Sequence, residues 1–189
     1  MTFLTRDIEE VEDTLMVRKV LIVSDSHGQT ADIRKAIVNT EEIDLFIHLG
    51  DIIDDPGIIR KWLMRGCGSK AKEIPSLFLA GNCDGRWIKR KLHRRPVLFR
   101  VNGLSFFATH GDAYGVEDGL ERLQELAEAN DIDVMLFGHT HIPYDGIYGK
   151  TRILNPGSVS YPRAGKPKTY IVLTFYGEKR YDVEIKRMD

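Results

Sequence analysis

Five apolar runs of this chain each end in a short block of Asp, Asn or His: Asp25-Ser26-His27, Gly50-Asp51, Gly81-Asn82-Cys83-Asp84, His110-Gly111 and Gly138-His139-Thr140-His141. The first two runs, Lys19–Ser24 and Ile43–Leu49, are continuous and rich in β-branched residues, the pattern of strands buried on both faces. Ser76–Ala80 reads as a third strand, and helix patterns over Thr30–Asn39 and about Asp55–Met64 lie between the three. Strands alternating with helices argue for a largely parallel sheet. The chain then changes style. Val97–Val101 and Leu104–Thr109 flank Asn102-Gly103, a pair suited to a type I′ hairpin turn. An amphipathic helix is predicted over Glu117–Ala129 through Leu120, Leu123, Leu126 and Ala127, followed by a buried strand over Val134–Phe137. The remainder reads as strands at Gly146–Tyr148, Arg152–Leu154, Thr169–Phe175 and Arg180–Lys186. The expected architecture is an α/β domain with two sheets face to face and helices outside.

A length of 189 residues suits one compact domain that buries its core without disulfides. The formal net charge of −1 gives no general argument for a nucleic-acid or membrane-surface partner. Locally, Arg86, Lys89, Arg90, Lys91, Arg94 and Arg95 form a basic cluster, read either as a solvated segment or as an attractor of phosphorylated substrate. Two cysteines, Cys67 and Cys83, without a CxxC spacing point to a reducing compartment, so the expected location is cytoplasmic. No apolar run approaches the roughly 20 residues of a membrane span. Asp7, Glu9, Glu10, Glu12 and Asp13 argue against a secretory leader. Residues 1–16 read as an acidic, amphipathic extension and 17–189 as the domain, with Met16 an alternative start.

Asp, His and Asn at strand ends are ligands for divalent metals of the Mn, Fe and Zn kind, and the carboxyl ends of strands are where open α/β sheets bind. Asp25 and His27, two apart on an extended segment, offer an oxygen and a nitrogen on the same side. Asp51 has two oxygens with which to bridge two cations, and His139 and His141 repeat the two-residue spacing. Asn82 and His110 complete a second set. Two metals about 3.5–4 Å apart would share a hydroxide and hold the oxygens of a phosphate ester during in-line attack. No HExxH, G-x-S-x-G or correctly spaced P-loop is present; Gly66–Lys70 only has a glycine-rich look.

Together these blocks resemble the D-x-H, G-D, G-N-H-D, H-G and G-H-x-H signatures of the calcineurin-like metallophosphoesterases. The chain is similar in particular to small prokaryotic phosphodiesterases related to the retromer subunit VPS29. The match runs through Leu21–Gly28, His48–Asp51, Gly81–Asp84, Thr109–Gly111, Gly138–His141, Asn155–Ser158 and Pro162-Arg163, over about residues 18–175. The resemblance implies a four-layer α/β/β/α sandwich of two mixed sheets and a pair of divalent metals. Asp25, His27, Asp51 and His141 would bind one metal; Asp51, Asn82, His110 and His139 would bind the other. Mn²⁺ is the expected ion, with Ni²⁺, Fe²⁺, Zn²⁺ or Mg²⁺ as alternatives. The substrate would be a small-molecule phosphodiester, and the assembly a dimer or tetramer. Two other readings stand beside it: a VPS29-like protein-binding scaffold with a non-catalytic metal site, and a phosphomonoesterase.

Asp51, Asn82, Cys83 and Asp84 are the residues expected to bear on catalysis. Cys83 departs from the family pattern, in which a His protonates the leaving group or holds the phosphate. A thiol is a poor donor, so weak general-acid assistance and a preference for good leaving groups follow. For Asp84 and Asp112 two roles stay open, orienting a neighbour or capping a helix. Alone, Asp25-Ser-His27 also reads as an N-cap and Gly50-Asp51 as a turn. His48 reads as a buried supporting histidine, His93 as exposed and Cys67 as a partly buried thiol. Asn155–Ser158 is chiefly turn chemistry, and Arg86 and Arg163 are candidate phosphate contacts.

Overall fold

The computed structural model describes residues 9–65 and 72–188. Cys67 and the glycine-rich stretch around it lie outside the described residues. A five-stranded sheet is built from β2 (Lys19–Val23), β3 (Leu45–His48), β6 (Ser76–Phe78), β12 (Thr169–Gly177) and β13 (Arg180–Arg187), in the order β13-β12-β2-β3-β6. A six-stranded sheet is built from β1 (Glu9–Leu15), β7 (Val97–Val101), β8 (Leu104–Ala108), β9 (Val134–Leu136), β10 (Pro143–Tyr148) and β11 (Thr151–Pro156), in the order β1-β7-β8-β9-β11-β10. The short strands β4 (Met64–Arg65) and β5 (Lys72–Glu73) form a separate antiparallel pair.

Alternation along the strands sorts the core into layers. Val20, Ile22, Leu45 and Ile47 meet Phe99, Phe106, Val134 and Leu136 between the two sheets. On the outer face of the five-stranded sheet, Leu21, Val23 and Phe46 pack on α1 (Thr30–Val38) and α2 (Pro56–Trp62) through Ile33, Ala36 and Ile59. On the outer face of the other sheet, Phe107, Met135 and Ile153 pack on α3 (Glu121–Ala129) through Leu123, Leu126 and Ala127. The result is the expected four-layer α/β/β/α sandwich. Each core strand touches apolar partners on both faces, which is why these runs are continuous rather than alternating in polarity.

Besides the pair β4–β5, which the sequence reading lacked, two elements differ from it. Part of the stretch set apart as an acidic extension, Glu9–Leu15, is an edge strand that pairs in parallel with β7 from Glu9 opposite Val97 to Leu15 opposite Val101. Glu and Asp are depleted in strands, so four acids in seven residues hide it. The third helix begins at Glu121 rather than Glu117, because Gly119 sits in what would be its first turn and glycine disfavours helix by about 1 kcal/mol. Among the described residues, no helix is long and apolar enough to cross a membrane.

Register brings the polar blocks together. β2, β3 and β6 run parallel with Val23 opposite His48 and His48 opposite Phe78. β8 and β9 run parallel with Ala108 opposite Leu136. The five blocks therefore leave the two sheets at their carboxyl ends.

Candidate metal centre

The turns that carry the candidate ligands are conformationally unusual. Asp25, His27, Asp51, His139 and His141 all have positive φ, between 44° and 67°. A side chain in this left-handed region costs on the order of 1 kcal/mol, and such positions persist where the surrounding structure over-determines them. The close approach of the loops is made by glycine. A Cβ on Gly81 would lie 2.1 Å from Asp51 Oδ1 and 2.5 Å from its amide nitrogen, and one on Gly50 would lie 2.6 Å from His110 Nδ1.

One group of donors gathers around Asp25. This carboxylate is fully buried, Oδ2 accepts from the His139 amide at 3.0 Å, and Oδ1 has no hydrogen-bond partner. The Tyr161 carbonyl lies 2.5 Å from His141 Nδ1. A carbonyl only accepts, so it holds the ring proton there and leaves the Nε2 lone pair turned to Asp25 Oδ1 at 3.3 Å and His27 Nε2 at 3.2 Å. Buried acceptors facing one another call for a cation between them. The protonation equilibria carry the same tension. Burial pushes Asp25 up, but His141, His110 and Ser24 outweigh it and hold the carboxyl below its ordinary value. Burial pushes His141 down, yet Asp25 wins and raises it. His27, with burial dominant, is lowered.

A second group gathers around Asn82. The Leu49 carbonyl accepts from His110 Nδ1 at 2.8 Å, so the Nε2 lone pair faces Asn82 Oδ1 at 3.1 Å, again acceptor against acceptor. His139 Nδ1 lies 3.1 Å from the same amide oxygen, and its Nε2 lies 3.5 Å from Glu117 Oε2. Between the groups stands Asp51. Its Oδ2 is 3.7 Å from both His27 Nε2 and His110 Nε2, while Oδ1 accepts from the Cys83 amide at 2.8 Å. One oxygen is thus committed to the protein, and the other is presented to both groups. All seven residues expected as ligands converge here, and oxygens with imidazole nitrogens fit divalent cations.

The surrounding residues set these positions. Asp84 is buried and accepts three backbone bonds, from Asp51 and Gly81 at Oδ2 (3.0 and 2.8 Å) and from Ile53 at Oδ1 (2.8 Å). Of its two open roles it takes the orienting one. The Cys83 thiol is pushed up to about 11, by desolvation first and then by Asp51, and stays protonated at neutral pH. Ser158 donates to the Asp25 carbonyl at 2.7 Å and accepts from the Tyr161 amide at 2.6 Å. Asn155 donates to the Gly138 carbonyl at 2.9 Å. The Asn155–Ser158 turn therefore splints two of the loops that meet here. Sequence reasoning passed over Glu117 and the carbonyls of Leu49 and Tyr161, which no residue-type signal marks.

His48 supports from within the strand. It is fully buried, accepts from the Gly50 amide at Nδ1 (3.2 Å), and so donates from Nε2 to Ser26 Oγ at 3.0 Å. Burial lowers it from 6.5 to about 3. Between these values the unfolded chain takes up a proton that the folded one refuses, so stability falls as pH falls through 6.5 toward 3, by up to about 1.4 kcal/mol per pH unit. Metal-free wild type should accordingly lead His48→Gln in urea unfolding at about pH 7.5. That lead should shrink by about 1 kcal/mol near pH 5.5; a gap independent of pH would contradict a neutral buried ring.

Comparison with known proteins agrees with this geometry. The calcineurin-like phosphoesterase superfamily domain matches residues 19–178. The Bacillus subtilis protein named probable metallophosphoesterase YsnB is 30% identical over 158 residues, covering 82% of this chain and 83% of its own. The Escherichia coli phosphodiesterase YfcE is 29% identical over 170 residues, covering 82% and 86%. Its solved structure, described as that of a phosphoesterase, superposes with a TM-score of 0.59 over 90% of this chain and 100% of its own, at 22% identity. The solved Vacuolar Protein Sorting 29 of Cryptosporidium parvum shares the fold at a TM-score of 0.67 and 14% identity, covering 91% of this chain and 98% of its own. With a family match across most of its length and the seven candidate ligands in one cluster, the chain belongs to the calcineurin-like phosphoesterase superfamily.

Proposed function

We propose that this metallophosphoesterase is a phosphodiesterase working with two divalent cations. The observation that carries the reading is Asp51, whose Oδ2 stands 3.7 Å from a nitrogen of each donor group. Asp25, His27, Asp51 and His141 would hold one cation and Asp51, Asn82, His110 and His139 the other. When bound, such a pair acidifies a water toward neutral pH and neutralises charge developing on phosphate oxygens. The chain's own part is arrangement. The Leu49 and Tyr161 carbonyls keep protons on Nδ1 of His110 and His141, so Nε2 stays free as a lone pair. The Cys83 amide fixes Asp51 Oδ1 and so decides which oxygen is shared. The name of YfcE supports diesters as the substrate class. The Vps29 likeness supports the fold alone, and the complete donor set favours hydrolysis over a scaffold.

The test is steady-state hydrolysis of a chromogenic aryl phosphodiester and its matching monoester by chelator-stripped protein titrated with Mn²⁺. Diester turnover is expected to rise until about two ions are bound per chain and to exceed monoester turnover. Monoester preference would move the reading to a phosphomonoesterase, and metal uptake without turnover would move it to a scaffold.

Cys83 gives a second expectation. Its protonated thiol is a weak donor to a leaving oxygen, so poor leaving groups should react slowly. Cys83→His is expected to raise turnover of an alkyl diester by about tenfold or more, and that of a nitrophenyl diester much less. Equal effects on both esters would remove proton donation from this position.

A further inference from the structure

From Arg86 to Arg95 the chain carries six Lys and Arg residues and no acid, although its net charge is −1. This segment directly follows Asn82-Cys83-Asp84 and is rigidly placed. Buried Ile88 and Leu92 anchor it, and the His93 backbone bonds to Phe78 and Ala80, along the strand that leads to Asn82. Lys91 pairs with Asp55 at 2.5 Å and sits 5.0 Å from the Trp87 ring. Among the described residues no carboxylate pairs with Arg86, Lys89, Arg90 or Arg94. Trp87 itself is 57% exposed. At the far end of the segment a cavity of about 310 Å³ is lined by Arg94, Arg95, Asp112, Tyr114 and the ligand His110.

We infer that this segment is a binding track for a single-stranded oligonucleotide, with a base stacked on Trp87 and a phosphate beyond the scissile one held at the Arg94–Arg95 cavity. The inference rests on the phosphodiesterase reading and names its substrate class. A small diester brings one phosphate, and the metal centre alone accounts for it. Cations repeated along a fixed segment match a polymer of repeated anions, and an exposed indole among them supplies sequence-tolerant stacking. An unpaired strand is required because bases within a duplex have no free face for the indole. Asp112 opens on the same cavity, where Arg94 has no carboxylate partner among the described residues.

The probe is a fluorescein-labelled ten-nucleotide oligothymidylate, its binding to the full, metal-free chain read by anisotropy between 50 and 300 mM KCl. Three proteins are compared: wild type, Trp87→Ala and the triple variant Arg86→Ser/Arg90→Ser/Arg94→Ser. Wild-type affinity is expected to fall with salt at a log–log slope of about −0.7 per phosphate contact. The triple variant should bind at least tenfold more weakly with a shallower slope, and Trp87→Ala at least about fivefold more weakly. With Mn²⁺ added, the ratio of kcat/KM on the oligonucleotide to that on an aryl diester should fall at least tenfold in the triple variant. No binding at 50 mM KCl, or equal binding by all three proteins, overturns the track. Oligonucleotide binding that responds to the variants, in a protein that hydrolyses no diester, leaves the track standing and overturns only the reaction.

Discussion

Asp51→Asn is expected to lose about 10³-fold or more of phosphodiester turnover while keeping the fold. One atom decides the loss. Oδ1 already accepts from the Cys83 amide, so in the variant the amide oxygen takes that place and the NH₂ group faces His27 and His110. A shared anion is replaced by a neutral donor pointed at the two imidazoles. The fold should survive, because Asp51 has φ 55° and Asn tolerates left-handed backbone about as well as Asp. Its bond from Cys83 is also retained. Circular dichroism and thermal unfolding check the fold; metal content and kcat check the site. Turnover within tenfold of wild type at full metal loading would deny Asp51 its shared role.

Asp84→Ala should act through position. The carboxylate holds the amides of Asp51, Ile53 and Gly81, and its loss leaves two buried N–H groups and one partly buried without their acceptor. A cost of about 3–5 kcal/mol in urea unfolding is expected. Turnover should fall about 10²-fold, because the loops bearing Asp51 and Asn82 lose their register. Asp84→Asn retains one acceptor oxygen and should fall between the two. A destabilisation under about 1 kcal/mol would show that the loops hold themselves.

The residues that meet at the candidate centre were legible because Asp, His and Asn closing buried runs are conspicuous. Orientation was not legible, because much of it is set by backbone. The carbonyl that fixes His110 belongs to Leu49, 61 residues earlier, and the one that fixes His141 belongs to Tyr161, 20 residues later. No side-chain pattern encodes either. Asp84 was visible as a polar residue, but its choice between cap and brace depended on which amides arrived within reach. The strand at Glu9–Leu15 was hidden for the opposite reason. Its partner β7 supplies the pairing, and its own composition argues against a strand.

The left-handed turns at Asp25, His27, Asp51, His139 and His141 bear on how this protein tolerates change. Each is a place where glycine would suit the backbone better than the residue present. Selection for a firmer metal-free fold and selection for hydrolysis therefore pull these positions in opposite directions. Thermostability gained without an assay for activity would drift toward replacing them, leaving the sandwich intact and the chemistry gone.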